Sequence, residues 1–273
     1  VIVFPNCKIN LGLRVLRKRS DGYHDLETVF YPIPFFDVLE IQESNSSNST
    51  LSFSTTGIPV ESNLNNLCAR AYDLLKQDFP QLPSALIHLH KVIPIGGGLG
   101  GGSADAAFAL ILINEKFGLG LTLQQLNNYA LQLGSDCPFF ITNKPSYATG
   151  RGEELEELNL DLSAYKFIVV NPGVLVKTAE AFKGIEPSVP QKSLKEIISQ
   201  PVVTWKSELE NDFEVTIFAR YPEIKSIKHV LYENGALYAS MSGSGSSVYG
   251  IFEKEKKSDL DFPSHYVVKD LTS

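Results

Sequence analysis

The sequence predicts an α+β protein of two domains, and three observations predict it. Its 273 residues suffice for one large or two modest bodies, each with a buried core, and two is the expectation. Strand-like and helix-like patterns occur in both halves of the chain. An acidic stretch bounded by breakers, Gly150 to Leu160, is followed at Tyr165 by a pattern that starts afresh. The expected domains are residues 1–155 and 156–273.

Taken in order, Lys8 to Leu16 and Phe36 to Glu43 carry strand-like apolar residues and flank a loop containing Ser20-Asp21-Gly22. Ser44 to Thr50 is almost purely Ser and Asn, and with the alternating Leu51-Ser52-Phe53-Ser54 it reads as a long hairpin tip. Its sequons at Asn45 and Asn48 are coincidental in a protein expected in the cytoplasm. Asn66 to Gln77 places Leu67, Ala71, Leu74 and Leu75 on one helical face. A strand from Ala85 to Ile93 puts Leu86, His88, His90 and Val92 on one side and Ile87, Leu89 and Lys91 on the other. The two histidines lack an evident third ligand, so packing or edge exposure is expected rather than a metal.

Ala104 to Glu115 is a breaker-free apolar helix, and Thr122 caps a second from Leu123 to Leu133 that ends at Gly134-Ser135-Asp136. Beyond Tyr165 come a strand at Phe167 to Val170, a turn at Asn171-Pro172-Gly173, helices around Leu194, Phe213 and Ile224, and strands near Leu237, Val248 and Val267.

The composition, 43% hydrophobic and 20% charged, is that of a folded globular chain. A net charge of -7 repels a nucleic-acid backbone, and the short basic run Arg14, Arg17, Lys18, Arg19 does not overcome it. That run is either a solvated face or an aid in attracting an anionic substrate. Cys7, Cys68 and Cys137 are odd in number and widely spaced, which suits a reducing compartment. Ala106 to Ile113 falls far short of the roughly 18 apolar residues that span a bilayer, so no membrane is expected as partner. Nothing resembles a targeting signal, and whether one preceded Val1 stays open.

In Pro94-Ile95-Gly96-Gly97-Gly98-Leu99-Gly100-Gly101-Gly102-Ser103, six of the nine residues after the proline are glycine. Such a run costs backbone entropy and suggests that something needs the bare main chain. Successive N–H groups converging on one anion, with a helix dipole beginning near Ser103, make a phosphate cradle. The alternative is a loop that is merely pliant or tightly packed. No lysine follows, which excludes a Walker A loop. Gly96, Gly98 and Gly101 satisfy a dinucleotide-binding spacing, but the second strand and acidic residue of such a unit are missing. No H-R-D or D-F-G follows, so a protein-kinase loop fails as well.

Pro94 to Ala107 resembles the second motif of the GHMP kinases, the superfamily of galactokinase, homoserine kinase and mevalonate kinase. Pro5-Asn6-Cys7-Lys8-Ile9-Asn10-Leu11 is similar to its first motif and Met241 to Ser247 to its third. Arg19-Ser20-Asp21-Gly22-Tyr23-His24-Asp25-Leu26, Asn211-Asp212-Phe213-Glu214 and Tyr221-Pro222-Glu223-Ile224 narrow the resemblance to the branch acting on a cytidyl-linked methylerythritol.

That resemblance implies an N-terminal ribosomal-protein-S5-like domain and a C-terminal ferredoxin-like domain with the active site in the cleft between them. It also implies transfer of the γ-phosphoryl group of ATP to a 2-hydroxyl in non-mevalonate isoprenoid synthesis. Asp136 corresponds to the catalytic base and Lys8 to the catalytic lysine; without the motif, Asp136 reads as a cap on Cys137-Pro138-Phe139-Phe140. Asn10, two residues from Lys8, shares its strand face and orients either partner or binds substrate.

Tyr23 and His24 correspond to cytidine-recognising positions, and Phe182 to a second stacking wall or else a core residue. Thr178, Gly243 and Ser244 go with the substrate, the turn from Gly243 to Ser247 closing over the first loop or touching phosphate. Asn66, Lys91, Pro94, Gly96, Gly97, Gly98, Leu99, Gly100, Gly101, Gly102 and Ser103 go with ATP. Magnesium is expected with the nucleotide, its protein ligands unassigned, and the enzyme is expected as a monomer or homodimer. Two departures, Cys7 in place of alanine and Ala104-Asp105 in the serine-rich end of the second motif, remove no group the chemistry needs.

Overall fold

The structure, a computed structural model, describes residues 1–44, 50–60, 65–257 and 259–272. In chain order its strands and helices are β1 (Ile2–Val3), β2 (Asn6–Lys18), β3 (His24–Phe36), β4 (Val38–Glu43), β5 (Leu51–Gly57), α1 (Leu67–Asp78), β6 (Ala85–Lys91), α2 (Gly101–Lys116), α3 (Leu123–Leu133), α4 (Cys137–Thr142), β7 (Ser146–Thr149) and β8 (Glu154–Glu157). There follow β9 (Tyr165–Asn171), α5 (Thr178–Ala181), α6 (Leu194–Ile198), α7 (Phe213–Arg220), α8 (Pro222–Glu233), β10 (Tyr238–Met241), β11 (Val248–Glu253) and β12 (Val267–Thr272). The class is α+β: most strand pairs are antiparallel, β5–β6 is parallel, and helices cluster between groups of strands.

The chain forms two compact units, each assembled from separated segments. The first comprises Val1–Cys7, Phe36–Ile93 and Gly100–Asn143. Its sheet runs in the order β1-β4-β6-β5, and α1 is the crossover that lets β5 and β6 lie parallel. On β6, Ala85, Ile87, Leu89 and Lys91 are buried, while Leu86 and His90 are exposed. Helix α1 begins at an Asn66 side chain that accepts from Cys68 N, and α3 at a Thr122–Gln125 capping box. Helix α2, apolar on nearly every side, packs against α1, α3 and α4.

The second unit comprises Lys8–Phe35, Pro94–Leu99 and Lys144–Ser273. It holds two sheets, β2-β3-β7-β8 and β10-β11-β9-β12. Its core joins Leu13 and Val15 of β2 to Ile168 and Val170 of β9, Phe213 and Ile217 of α7, and Ile224, Ile227 and Leu231 of α8.

Two expectations change. The loop after Ser20-Asp21-Gly22 leads into a full strand, β3, ahead of β4. Pro32 and Pro34 disguise it in sequence, and they are tolerated because β7 pairs only with Thr28–Phe30, so past Phe30 no N–H is needed on that side. Strands β4 and β5 do not form a hairpin, because both pair with β6, one on each side. The expected polar tip with Asn45 and Asn48 lies in residues 45–49, outside those described. The acidic stretch after Gly150 is the far arm of the β7–β8 hairpin, inside the second unit.

Candidate active site

The residues singled out by sequence fall into two groups, one in each unit. In the second unit Lys8 is buried on β2, held by the alternation that sends Cys7 and Ile9 to the opposite face. Its ammonium donates to Asn10 Oδ1 at 2.5 Å and to Gly98 O at 3.2 Å, and lies 4.8 Å from the centre of the Phe30 ring. The same-face expectation for Lys8 and Asn10 is met. Asn10 in turn donates from Nδ2 to Thr28 Oγ1 at 2.9 Å, and its carbonyl accepts from the Tyr249 hydroxyl at 2.7 Å.

The turn after β10 rests on Gly97 and Gly98. Ser242 Oγ donates to Gly98 O at 2.9 Å, Ser247 N donates to Gly97 O at 3.0 Å, and Asn171 Nδ2 donates to the Ser246 and Ser247 hydroxyls at 3.1 and 2.9 Å. The approach is backbone against backbone. A Cβ on Gly98, whose φ is 78°, would strike Ser242 O, and one on Gly245 would strike Gly97 and Gly98. Of the two expectations for this turn, contact with the first glycine loop is the one observed. Ser244 and Thr178 meet through their hydroxyls at 3.3 Å.

His24 stacks on Phe182 with ring centroids 4.6 Å apart and an interplanar angle of 19°. Phe182 also meets Phe213 edge-on at 4.8 Å, so it is both a stacking surface and a core neighbour. Tyr23 is 57% exposed, with the Arg151 guanidinium 5.1 Å from its ring centre. The basic run does not present unpaired guanidinium groups: Arg17 and Arg19 bind Asp25, Arg19 also binds Asp21, and Arg14 donates to Lys192 O at 2.6 Å.

In the first unit Gly100, with φ 70°, precedes the first turn of α2, where Gly101, Gly102 and Ser103 present a bare helix N-terminus. Lys91 is buried rather than surface-exposed. Its ammonium pairs with Asp37 and, at 2.7 Å, with Asp105 of α2. Asp37 Oδ1 also accepts from Val92 N at 2.6 Å and Ile93 N at 2.9 Å.

Burial pushes the Asp105 carboxyl up to about 7, against the pull of the Lys91 ammonium, and Lys91 itself is raised by its two carboxylates despite burial. Asp136 begins α4 without a side-chain cap hydrogen bond, so capping is not its role. The adjacent Cys137 thiol is buried and pushed up to about 12, and Cys7, Cys68 and Cys137 are all buried.

The contacts of Asp37 and Asn171 were not legible in sequence, because nothing local marks a polar side chain whose partners are distant in the chain. Among the described residues no group of three His, Cys, Asp or Glu side chains is placed to hold a metal ion. His88 instead meets the Ser54 and Thr56 hydroxyls at 2.9 and 3.0 Å, and His90 meets Thr56 at 2.9 Å. The buried orphan oxygen Asp105 Oδ1 belongs to a carboxyl already paired with Lys91, which does not suit a cation. The described residues therefore do not fit a metal held by the protein itself.

Residues 66–144 match the family model for the GHMP kinases N terminal domain, and residues 193–261 match the GHMP kinases C terminal model. A protein of Bacteroides fragilis named 4-diphosphocytidyl-2-C-methyl-D-erythritol kinase is 51% identical over 268 residues, covering 97% of each chain. The chain belongs to the GHMP kinases, in the branch that bears that name. This GHMP kinase is also 50% identical, over 100% of its length and 96% of the relative's, to the Parabacteroides distasonis protein of the same name.

A crystal structure of 4-(cytidine 5'-diphospho)-2C-methyl-D-erythritol kinase superposes with a TM-score of 0.81 at 28% identity, covering 99% of both chains. The protein is thus a phosphotransferase with an alcohol group as acceptor, and GHMP kinases use ATP as cosubstrate. No helix among the described residues is long and apolar enough to cross a membrane.

Proposed function

We propose that this GHMP kinase transfers the γ-phosphoryl group of ATP to the 2-hydroxyl of 4-diphosphocytidyl-2-C-methyl-D-erythritol, a step in non-mevalonate isoprenoid synthesis. The observation that carries the substrate reading is the His24–Phe182 stack, 4.6 Å between centroids, next to the exposed Tyr23. A cytosine ring needs an aromatic face and a polar edge, and these side chains offer both. The names of relatives at 50 and 51% identity support the same substrate.

In the chemistry, Asp136 takes the proton of the attacking hydroxyl as the new P–O bond forms and the bond to ADP breaks. The Lys8 ammonium offsets the negative charge that develops on the oxygens in transfer, and Asn10 holds that ammonium in place. The glycines from Gly96 to Gly102 and Ser103 offer main-chain N–H groups to the ATP phosphates, with Asn66, Lys91 and Pro94 along the nucleotide. Thr178, Gly243 and Ser244 line the substrate. A magnesium ion carried on the ATP phosphates would neutralise part of their charge.

A coupled ADP-release assay with that substrate tests the reading, with homoserine and mevalonate as competitors for the assignment. Turnover with either of those and none with the cytidyl compound would move the enzyme to another branch. Asp136→Asn is expected to lower kcat by about 10³-fold with ATP affinity retained; undiminished activity would remove Asp136 as the base.

A further inference from the structure

The polar residues of Asn211-Asp212-Phe213-Glu214 take no part in the chemistry above, yet all of them brace the backbone around it. Asn211, 2% exposed, donates from one amide nitrogen to Met241 O and Gly243 O, both at 2.8 Å, while its amide oxygen accepts from Phe213 N at 3.0 Å. Glu214 accepts from Met241 N at 2.8 Å and from Ser240 Oγ at 3.0 Å, and Asp212 accepts from Val15 N at 2.7 Å.

The two carbonyls that Asn211 grips stand on either side of Ser242. Ser242 accepts from Asn10 N at 3.3 Å and donates to Gly98 O at 2.9 Å, and that same carbonyl accepts from Lys8 Nζ at 3.2 Å. The peptide before Ser242 and the peptide after Gly243 cannot rotate without breaking a bond to Asn211, so the short segment carrying Ser242 is anchored on both sides by one amide, and with it the Ser242 hydroxyl that meets the Gly98 carbonyl beside the Lys8 ammonium. Only asparagine supplies two donors and one acceptor on so short a stem. An aspartate of the same shape would turn a carboxylate on two carbonyl oxygens.

We infer that Asn211 is a positioning residue for phosphoryl transfer, acting through Ser242 and Gly98 on Lys8. The inference rests on the kinase reading of the site. Asn211→Asp and Asn211→Ala, compared with wild type and with the helix-end control Asn234→Asp, are expected to lower kcat by about 10²-fold while KM for ATP and for the alcohol changes less than threefold. Asn234→Asp keeps kcat within twofold.

Ser242→Ala and the double variant Asn211→Ala/Ser242→Ala are expected to share one kcat within about twofold, since both cut the same chain of contacts. Amide hydrogen exchange in the Asn211 variants is expected to quicken in the peptide covering 241–247 and to stay unchanged in β12. Exchange is read without turnover. Absence of ADP release by the wild type would refute the kinase reading and leave exchange to decide this inference. A kcat within threefold of wild type, a KM change alone, multiplicative losses in the double variant, unchanged exchange at 241–247, or failure of both Asn211 variants to fold would each overturn it.

Discussion

The Ser242 hydroxyl donates to the Gly98 carbonyl at 2.9 Å, tying together two small-residue turns that lie 144 residues apart in the chain. The contact leaves no room for a side chain at Gly98, whose φ of 78° already disfavours one. Gly98→Ala should therefore destabilise the protein by roughly 3 kcal/mol, from overpacking and left-handed backbone strain together. It should also cut kcat by at least about tenfold. Urea unfolding and steady-state kinetics measure the two effects.

Lys91 is the ammonium shared by Asp37 and Asp105, all three being buried. Lys91→Met leaves two carboxylates without their counter-charge and should cost roughly 3–5 kcal/mol, because an uncompensated buried charge is far more expensive than the pair it came from. Thermal unfolding of the variant beside Lys225→Met, an exposed position on α8, provides the comparison.

The raised carboxyl of Asp105 ties stability to pH. Folding moves it from an ordinary value of 3.8 to about 7, so across that interval the folded state binds more protons than the unfolded one. Its contribution is therefore complete below the lower value and is lost as pH rises through the upper one, by at most about 1.4 kcal/mol per pH unit. Wild-type stability should fall from pH 5 to pH 8 more steeply than that of Asp105→Asn. Lys91, raised in the fold, keeps its charge throughout this window. Denaturant midpoints at three pH values decide it, and parallel slopes would remove Asp105 as the titrating group.

Phe182 offers one ring to His24 and its edge to Phe213. Phe182→Ala should raise KM for a cytidyl substrate about tenfold, the worth of one aromatic stack, with KM for ATP unchanged. Initial rates with each substrate varied in turn separate the two constants.

All three thiols are buried, and that of Cys137 is pushed far above neutrality. Titration with a disulfide reagent at pH 7.5 should find no fast-reacting thiol in the native protein and three after denaturation.

Much of this molecule is written in short range. The spacing of Leu67, Ala71 and Leu75 makes α1, the Thr122–Gln125 box starts α3, and the alternation on β6 fixes which residues share a face. These are properties of a few neighbouring residues, so a single chain displays them without a fold. The glycine run likewise announced a bare backbone, and the ordered motifs around Lys8, Gly96 and Ser242 announced the family. Strand β3 was hidden because its prolines break the local pattern, and they are harmless only where β7 stops pairing.

The glycine run alone left open what would press against it. The contact of Gly98 with Ser242, the grip of Asn211 on both sides of Ser242, and the burial of Lys91 between Asp37 and Asp105 are settled only in three dimensions. Each joins residues whose own neighbours in sequence carry no trace of the partner. A polar side chain is committed by the donors and acceptors that folding brings within reach, and burial then makes that commitment costly to undo.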